Sequence, residues 1–204
     1  MPYYSQRTGH MSHLQDLIND YLVGKKDLVG IEIGSYGGES TEMFLNSGAF
    51  KSFYCIDPWL NSFDPNDPTG DDGLNIAEQR FDELFKNNPI VKKIKMLSND
   101  ARAAFDSWFK DQDVDFIYID GDHRYEAVLR DLINYAPLVK IGGIIAGHDY
   151  VDENTVSDTG IPKHIIGVAY AVRQYFACLP DKRYLDFSWA YTKNKPYPVW
   201  PYWV

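Results

Sequence analysis

The chain has 204 residues, a formal net charge of −9 and a 45 % hydrophobic composition, which is that of a globular protein with one domain and one good core. The acidic balance argues against a phosphate-backbone partner, which needs a Lys/Arg surface, and no apolar run approaches the ~20 residues of a membrane span. The first residues lack the charged-then-apolar order of a signal segment, and Cys55 and Cys178 stand apart, so a reducing cytoplasm is expected.

From the N-terminus, His10 to Leu22 reads as an amphipathic helix with Leu14, Leu17, Ile18, Tyr21 and Leu22 on one face, ended by Gly24. Leu28 to Ile33 is a short strand, apolar on both faces except at Glu32, as a parallel sheet covered by helices predicts. Gly34-Ser35-Tyr36-Gly37-Gly38 then turns into a helix that begins at Glu39 and carries Ser40. Strand, glycine turn and helix make a nucleotide-cradling unit. The glycine spacing is not G-x-G-x-x-G, and Glu32 would repel a pyrophosphate while attracting a ligand that carries an ammonium group. A second strand, Ser52 to Ile56, ends in Asp57, placed where an acid accepts both ribose hydroxyls.

Asn61 to Asn75 reads as a polar loop, a lid or surface insertion. Its acids do not fit a calcium loop, because Asp72 stands where that loop requires glycine. A helix follows over Ile76 to Phe85, with Ile76, Ala77, Phe81, Leu84 and Phe85 on its core side. Next come a strand over Val91 to Leu97 with Ile94 and Met96 inward, and a short helix reaching Trp108. Ser98 to Asp100, between them, suit either hydrogen bonds to a base edge or the cap of that helix.

The two most informative stretches are Asp115 to Tyr125 and Gly142 to Tyr150. Each starts as an apolar run of strand length and ends in acid and histidine. An unpaired buried carboxylate is costly, so Asp120 belongs where its strand leaves the sheet, and His148 and Asp149 likewise. Neighbouring strand ends then present Asp120, His123, His148 and Asp149 to one crevice, where open α/β sheets bind ligands. Asp122 reads as the cap of a helix with Tyr125, Val128, Leu129, Leu132, Ile133 and Ala136 on its core face. Residues 151–162 form a second candidate lid, and His164 opens a helix with Ile165, Val168, Ala169, Val172 and Phe176 inward. Tyr184 to Tyr191 reads as a late strand. The tail from Lys195 is too proline-rich for an inner strand, and its aromatics suit docking on the domain, on a second copy in a homo-oligomer, or over the substrate.

This order of elements, with Glu32, the glycine turn and Asp57, resembles the class I S-adenosylmethionine-dependent methyltransferases. DFIYIDGDHRYEAVLRDL, GGIIAGHDY, KMLSNDARAAF and GVAYAV resemble the family that includes macrocin O-methyltransferase-like and cephalosporin hydroxylase-like proteins. The resemblance covers about residues 28–178. It implies an α/β, Rossmann-like, seven-stranded, mostly parallel sheet with helices on both faces, in one domain. That domain divides into an N-terminal helix (1–25), a cofactor-binding core (26–178) and C-terminal strands with the aromatic tail (179–204). It also implies that Glu32, Gly34, Ser35, Tyr36, Gly37 and Gly38 hold the methionine end of the cofactor with Ser40 near its carboxylate. Asp57 then binds the ribose, Ser98 lies by the adenine and Asp120 borders the cofactor. Metal-dependent relatives place ion ligands where Asp120, His148 and Asp149 stand and a base where His123 stands. Position 148, commonly a carboxylate there, is imidazole here.

The expected reaction is therefore methyl transfer to a hydroxyl of a sugar or other small metabolite, assisted by a divalent ion, Mg²⁺ or Mn²⁺. The ion would lower the hydroxyl's pKa and His123 would take the proton. Three rivals stand beside it: a metal-independent methyltransferase, a metal-dependent hydrolase or hydroxylase on the same crevice, and a non-catalytic cofactor-binding subunit. A nicotinamide oxidoreductase is disfavoured by Glu32 and the glycine spacing.

Overall fold

The computed structural model of the chain describes residues 13–60, 70–105, 113–152 and 166–195, without the side chains of residues 70–72 and 166. His10, Trp108, His164, the aromatic tail and most of both candidate lids lie outside these residues.

Among the described residues, six α-helices and seven strands follow in order: α1 (Leu14–Tyr21), β1 (Leu28–Ile33), α2 (Glu39–Asn46), β2 (Phe50–Ile56), α3 (Gly70–Phe85), β3 (Val91–Ile94), α4 (Ser98–Phe105), β4 (Val114–Ile119), α5 (Tyr125–Tyr135), β5 (Val139–Gly147), α6 (Ile166–Phe176), β6 (Lys182–Arg183) and β7 (Trp189–Thr192). One sheet holds all seven strands in the order β3-β2-β1-β4-β5-β7-β6. The first five run parallel, and β7 is antiparallel to both β5 and β6. The architecture is the seven-stranded, mostly parallel α/β sheet expected.

Each central strand feeds two cores, because successive side chains point to opposite faces. Ile31, Ile33, Ile117, Ile119 and Ile145 pack with Phe105, Val128, Leu132, Val168 and Val172 of α4, α5 and α6. Phe53, Cys55, Phe116, Tyr118 and Ala146 pack with Leu14, Leu17, Phe44, Ala77 and Phe81 of α1, α2 and α3. Glu32 points into the second layer, toward α2. This is why an acid can stand in β1 at all: α2 brings hydroxyls to meet it.

Several local readings are corrected. α3 starts at Gly70, inside the expected loop, and its buried row is Ala77, Phe81 and the part-buried Phe85 at i, i+4, i+8. Ile76 and Leu84 flank that row and are exposed, as is Ile133 on α5. β3 stops at Ile94, leaving Met96 exposed. The Tyr184–Tyr191 strand is really a turn leading into β7: Tyr184 and Ser188 close it by an N–H···O bond of 2.8 Å, and Phe187 turns the chain at φ 67°. No glycine marks that turn. Asp122 does not cap α5. It accepts the N–H of Arg124, the residue that itself occupies the cap position.

Candidate active site

The register sets the site. Ile33 pairs with Ile56 of β2 and Ile119 of β4, and Ile119 pairs with Gly147 of β5. Asp57, Gly34, Asp120 and His148 are therefore the next residues out on four adjacent strands. The ladder continues one step beyond the strands: Gly34 N–H to Ile56 O (2.8 Å), Asp120 N–H to Ile33 O (2.8 Å) and His148 N–H to Ile119 O (3.1 Å). At about 4.8 Å per strand the row spans about 14 Å.

Gly34 holds two of these exits together. It sits at φ +89°, and a Cβ there would lie 2.1 Å from the Asp120 carbonyl oxygen. Any side chain would push β1 and β4 apart where the crevice opens. Tyr36 (φ 44°), Trp59 (φ 47°) and Asp149 (φ 57°) also adopt the left-handed conformation at the crevice. Non-glycine residues do this at a cost, and such strain clusters at functional sites.

On the β1 side, Glu32 is fully buried and accepts hydrogen bonds from the Ser40 hydroxyl (2.5 Å) and from the Thr41 hydroxyl. Burial pushes its carboxyl up to about 7; the hydroxyls of Ser40 and Thr41 pull the other way, and the Asp120 charge adds to the rise. Thr41 was not singled out from the sequence, although its place one residue after Ser40 was a usable signal. Asp57 is buried, and each of its oxygens already accepts a backbone N–H: Tyr36 at 2.9 Å and Trp59 at 2.7 Å. The Trp59 indole N–H in turn donates to Tyr36 O at 2.8 Å. Asp57 thus ties the glycine turn to the end of β2 and keeps lone pairs to offer a ligand. Burial raises its carboxyl, and the two N–H donors oppose the rise. Ser98 begins α4; its hydroxyl lies by the buried Asp131 of α5 and its carbonyl accepts the Tyr135 hydroxyl at 2.5 Å.

On the β4/β5 side the four expected residues converge. His123 Nε2 lies 3.0 Å from Asp149 Oδ2 and 3.7 Å from Asp120 Oδ1. His148 Nδ1 lies 3.2 Å from Asp149 Oδ1 and 3.8 Å from Asp120 Oδ1. One donor atom each from Asp120, His123 and Asp149 falls within 4.8 Å of the others. Burial opposes charge on both imidazoles, but the carboxylates outweigh it: His123 is held well above the ordinary histidine range and His148 is pushed up to about 9. Burial likewise pushes Asp149 up, and hydrogen bonds from the two imidazoles more than reverse it, leaving the carboxyl below its usual range. Asp120, His123 and Asp149 form a donor set that fits a divalent ion, with His148 Nδ1 beside the two carboxylates. His148 Nε2 is buried and has no hydrogen-bond partner among the described residues.

A methyltransferase-domain family model matches residues 31–150, which is more than half of the chain and spans every residue of this crevice. The chain belongs to that methyltransferase family. A curated relative, an uncharacterized protein of Acanthamoeba polyphaga mimivirus, is 30 % identical over 151 residues, or 70 % of this chain; the chain spans 60 % of that relative's length. Among solved structures, a protein from Corynebacterium glutamicum superposes with a TM-score of 0.59 at 14 % identity over 90 % of this chain and 82 % of its own. A putative caffeoyl-CoA O-methyltransferase from Staphylococcus aureus gives 0.54 at 18 % over 80 % and 70 %. An O-methyltransferase from Bacillus cereus, solved with S-adenosylhomocysteine, gives 0.52 at 19 % over 81 % and 74 %. At these identities the structures establish the fold alone. That fold is the class I methyltransferase fold. No helix among the described residues of this methyltransferase is long and apolar enough to cross a membrane.

Proposed function

We propose that this methyltransferase moves the methyl group of S-adenosylmethionine to a hydroxyl of a sugar or other small metabolite, with a divalent ion held by Asp120, His148 and Asp149 and with His123 as the base. One observation carries the reading: two carboxylates and two imidazoles meet at the ends of β4 and β5, beside a glycine turn that ends in a hydroxyl-lined buried glutamate.

The residues divide the work. Glu32 offers a negative end to the cofactor's ammonium group, and Asp57 keeps lone pairs for the ribose hydroxyls. Gly34 brings the β1 turn against Asp120, so the methyl donor and the acceptor hydroxyl share one narrow space. When bound, the ion supplies a Lewis acid that lowers the pKa of the acceptor hydroxyl. His123, more exposed than His148, faces the open side, and its Nε2 would be free to accept the hydroxyl proton once Asp120 and Asp149, which otherwise keep it protonated, are neutralised by the ion. The new bond joins the methyl carbon to the acceptor oxygen, and the broken bond leaves its electron pair on sulfur as a neutral thioether. Proximity and alignment are most of what the fold must provide. A vicinal diol suits a two-point hold on such an ion, which favours a saccharide acceptor.

A second ligand set has its own support, since the three donors within 4.8 Å of one another include His123 rather than His148. Mn²⁺ titration of His123→Gln and His148→Gln separates the two, because only the ligating imidazole's loss weakens binding at least tenfold. The parent reading is tested by calorimetric titration of S-adenosylmethionine with Mn²⁺ present and then chelated. Binding should vanish in Asp57→Ala, and the metal-dependent heat should vanish in Asp120→Ala. Folded protein that takes up no S-adenosylmethionine under either condition sinks the reading; methyl transfer that survives the chelator removes only the ion.

A further inference from the structure

Beside the β4/β5 corner, two buried polar atoms lack a hydrogen-bond partner among the described residues. Nδ1 of His148 faces Asp120 and Asp149, so Nε2 faces inward, where it is buried with no hydrogen bond among the described residues. A buried imidazole nitrogen in that state is costly. Asp186 presents the complementary problem. It sits in the turn between β6 and β7, beside the highly exposed Leu185, yet it is itself only 7 % exposed. Its Oδ1 accepts the Ser188 N–H at 3.0 Å, while its Oδ2 is buried and unpartnered among the described residues. A turn carboxylate has open water available, and this one is turned inward.

The two orphans share a neighbourhood. Phe187, next to Asp186, accepts the N–H of Tyr150 at 2.9 Å, so the turn is stitched to the segment that carries His148 and Asp149. Trp189 pairs with Gly147, the residue before His148. The Asp186 charge is among those that act on His148. The other buried side-chain atoms without a partner among the described residues are Ser35 Oγ and Trp189 Nε1. The indole is a donor only and cannot take an N–H, and Ser35 belongs to the β1 turn. That leaves Asp186 Oδ2 as the acceptor.

We infer that Asp186 accepts the Nε2–H of His148 through one bridging water, and so commits Nδ1 to the corner formed by Asp120 and Asp149. Asp186 is then a positioning residue. A histidine that binds an ion commonly hands its other N–H to a carboxylate, which fixes both tautomer and ring orientation. The inference rests on the proposed ion site only for its consequence; the Asp186–His148 link itself can be read without metal.

Two measurements on the whole chain test it. The first is the ¹H–¹⁵N spectrum of the histidine side chains, with His148 assigned by its disappearance in His148→Gln. The wild type should show an Nε2–H proton protected from solvent exchange. Asp186→Asn, which keeps an acceptor for the Ser188 N–H but turns a donor toward the imidazole, should lose that protection while the backbone amide spectrum stays in place. The second is Mn²⁺ titration, in which Asp186→Asn should bind about 10- to 100-fold more weakly. Asp186→Ala repeats both readings if the amide variant proves unstable. A His148 proton resonance unchanged in both variants overturns the link. A wild type that takes no Mn²⁺ but shows the protected proton removes the ion and leaves the link standing. Wild-type Mn²⁺ affinity retained in both variants, with the proton lost, overturns the positioning role.

Discussion

The crevice contains two kinds of buried acid, and they behave in opposite ways. Glu32 is ringed by hydroxyls, and burial pushes its carboxyl up to about 7. Asp149 is mostly enclosed, with 16 % of its side chain exposed, and two imidazoles hold its carboxyl below the ordinary range. Burial pushes both carboxyls up; the partner decides the outcome. Hydroxyls solvate a carboxylate without cancelling its charge, so Glu32 is left short of a cation. A cationic ligand group supplies one, which suits the ammonium end of the methyl donor. The β4/β5 corner carries its own cations, in the form of protons on imidazole. On the proposed reading, those protons give way to a metal ion.

Gly34 binds these two regions to each other, so its replacement should have the largest effect. Gly34→Ala forces a Cβ to within 2.1 Å of the Asp120 carbonyl at φ +89°. Strain and overpacking together should cost at least about 3 kcal/mol, and both cofactor and ion binding should fall with the fold. Thermal unfolding of the variant at wild-type stability would show that the two strand ends are less tightly coupled than the geometry says.

Glu32→Gln tests the first region alone. A carboxyl raised from its ordinary value to about 7 favours the protonated form in the folded state. Its contribution is fully favourable below the unfolded pKa, near 4.5, and is lost as pH rises through 7. The wild type should therefore lose about 2–3 kcal/mol relative to Glu32→Gln between pH 4.5 and 8. Asp131, also raised to about 7 by burial, is present in both proteins and cancels in the difference. Urea unfolding across that range gives the number. S-adenosylmethionine affinity should move the other way, falling at least tenfold in the variant at pH 8. A parallel pair of stability curves would mean that Glu32 is already paired in the free enzyme.

The second region has a pH dependence of the other sign. Its imidazoles keep their protons above pH 7, with His148 pushed up to about 9 by Asp120 and Asp149 against the cost of burial. An ion that binds Nδ1 must displace that proton. Mn²⁺ affinity should rise with pH between 6 and 8, by about tenfold per unit for each proton released. Calorimetry in two buffers of different ionisation enthalpy counts the protons. A count near zero, with affinity flat in pH, would remove His148 from the ligand set.

Much of this was legible from the sequence, and what was not has a physical reason. Glu32, Asp57, Asp120 and Asp149 each end or interrupt a short apolar run, and a parallel sheet has few places to put them. Their juxtaposition followed from the register of adjacent strands. The pairing of Glu32 with α2 was half visible: Ser40 was chosen and Thr41 passed over, because a helix-start threonine has many other uses. Asp186 carried no signal at all. It lies 38 positions from His148 (186 minus 148), in a turn without glycine, and only the antiparallel return of β7 beside β5 brings the two together. The surface-facing errors on α3, Ile76 and Leu84, arose because a broad apolar stripe does not say which of its edges is covered.

The smallest change sharpens the comparison most, because it leaves the fold and every charge in place. Thr41→Val keeps shape and burial but removes one of the two hydroxyls that donate to Glu32. A hydrogen bond to a charged group is worth about 1.5–3 kcal/mol, and one to a neutral group about half of that. The variant should therefore lose little stability at pH 5, where Glu32 is protonated, and about 1–2 kcal/mol more at pH 8. A cation in the pocket compensates the lost donor, so saturating S-adenosylmethionine should shrink the difference between the two pH values. The same substitution should leave Mn²⁺ binding at the β4/β5 corner unchanged within about twofold. If the loss is equal at both pH values, the hydroxyl is packing rather than solvating the acid, and the contrast between the two carboxylates rests on burial alone.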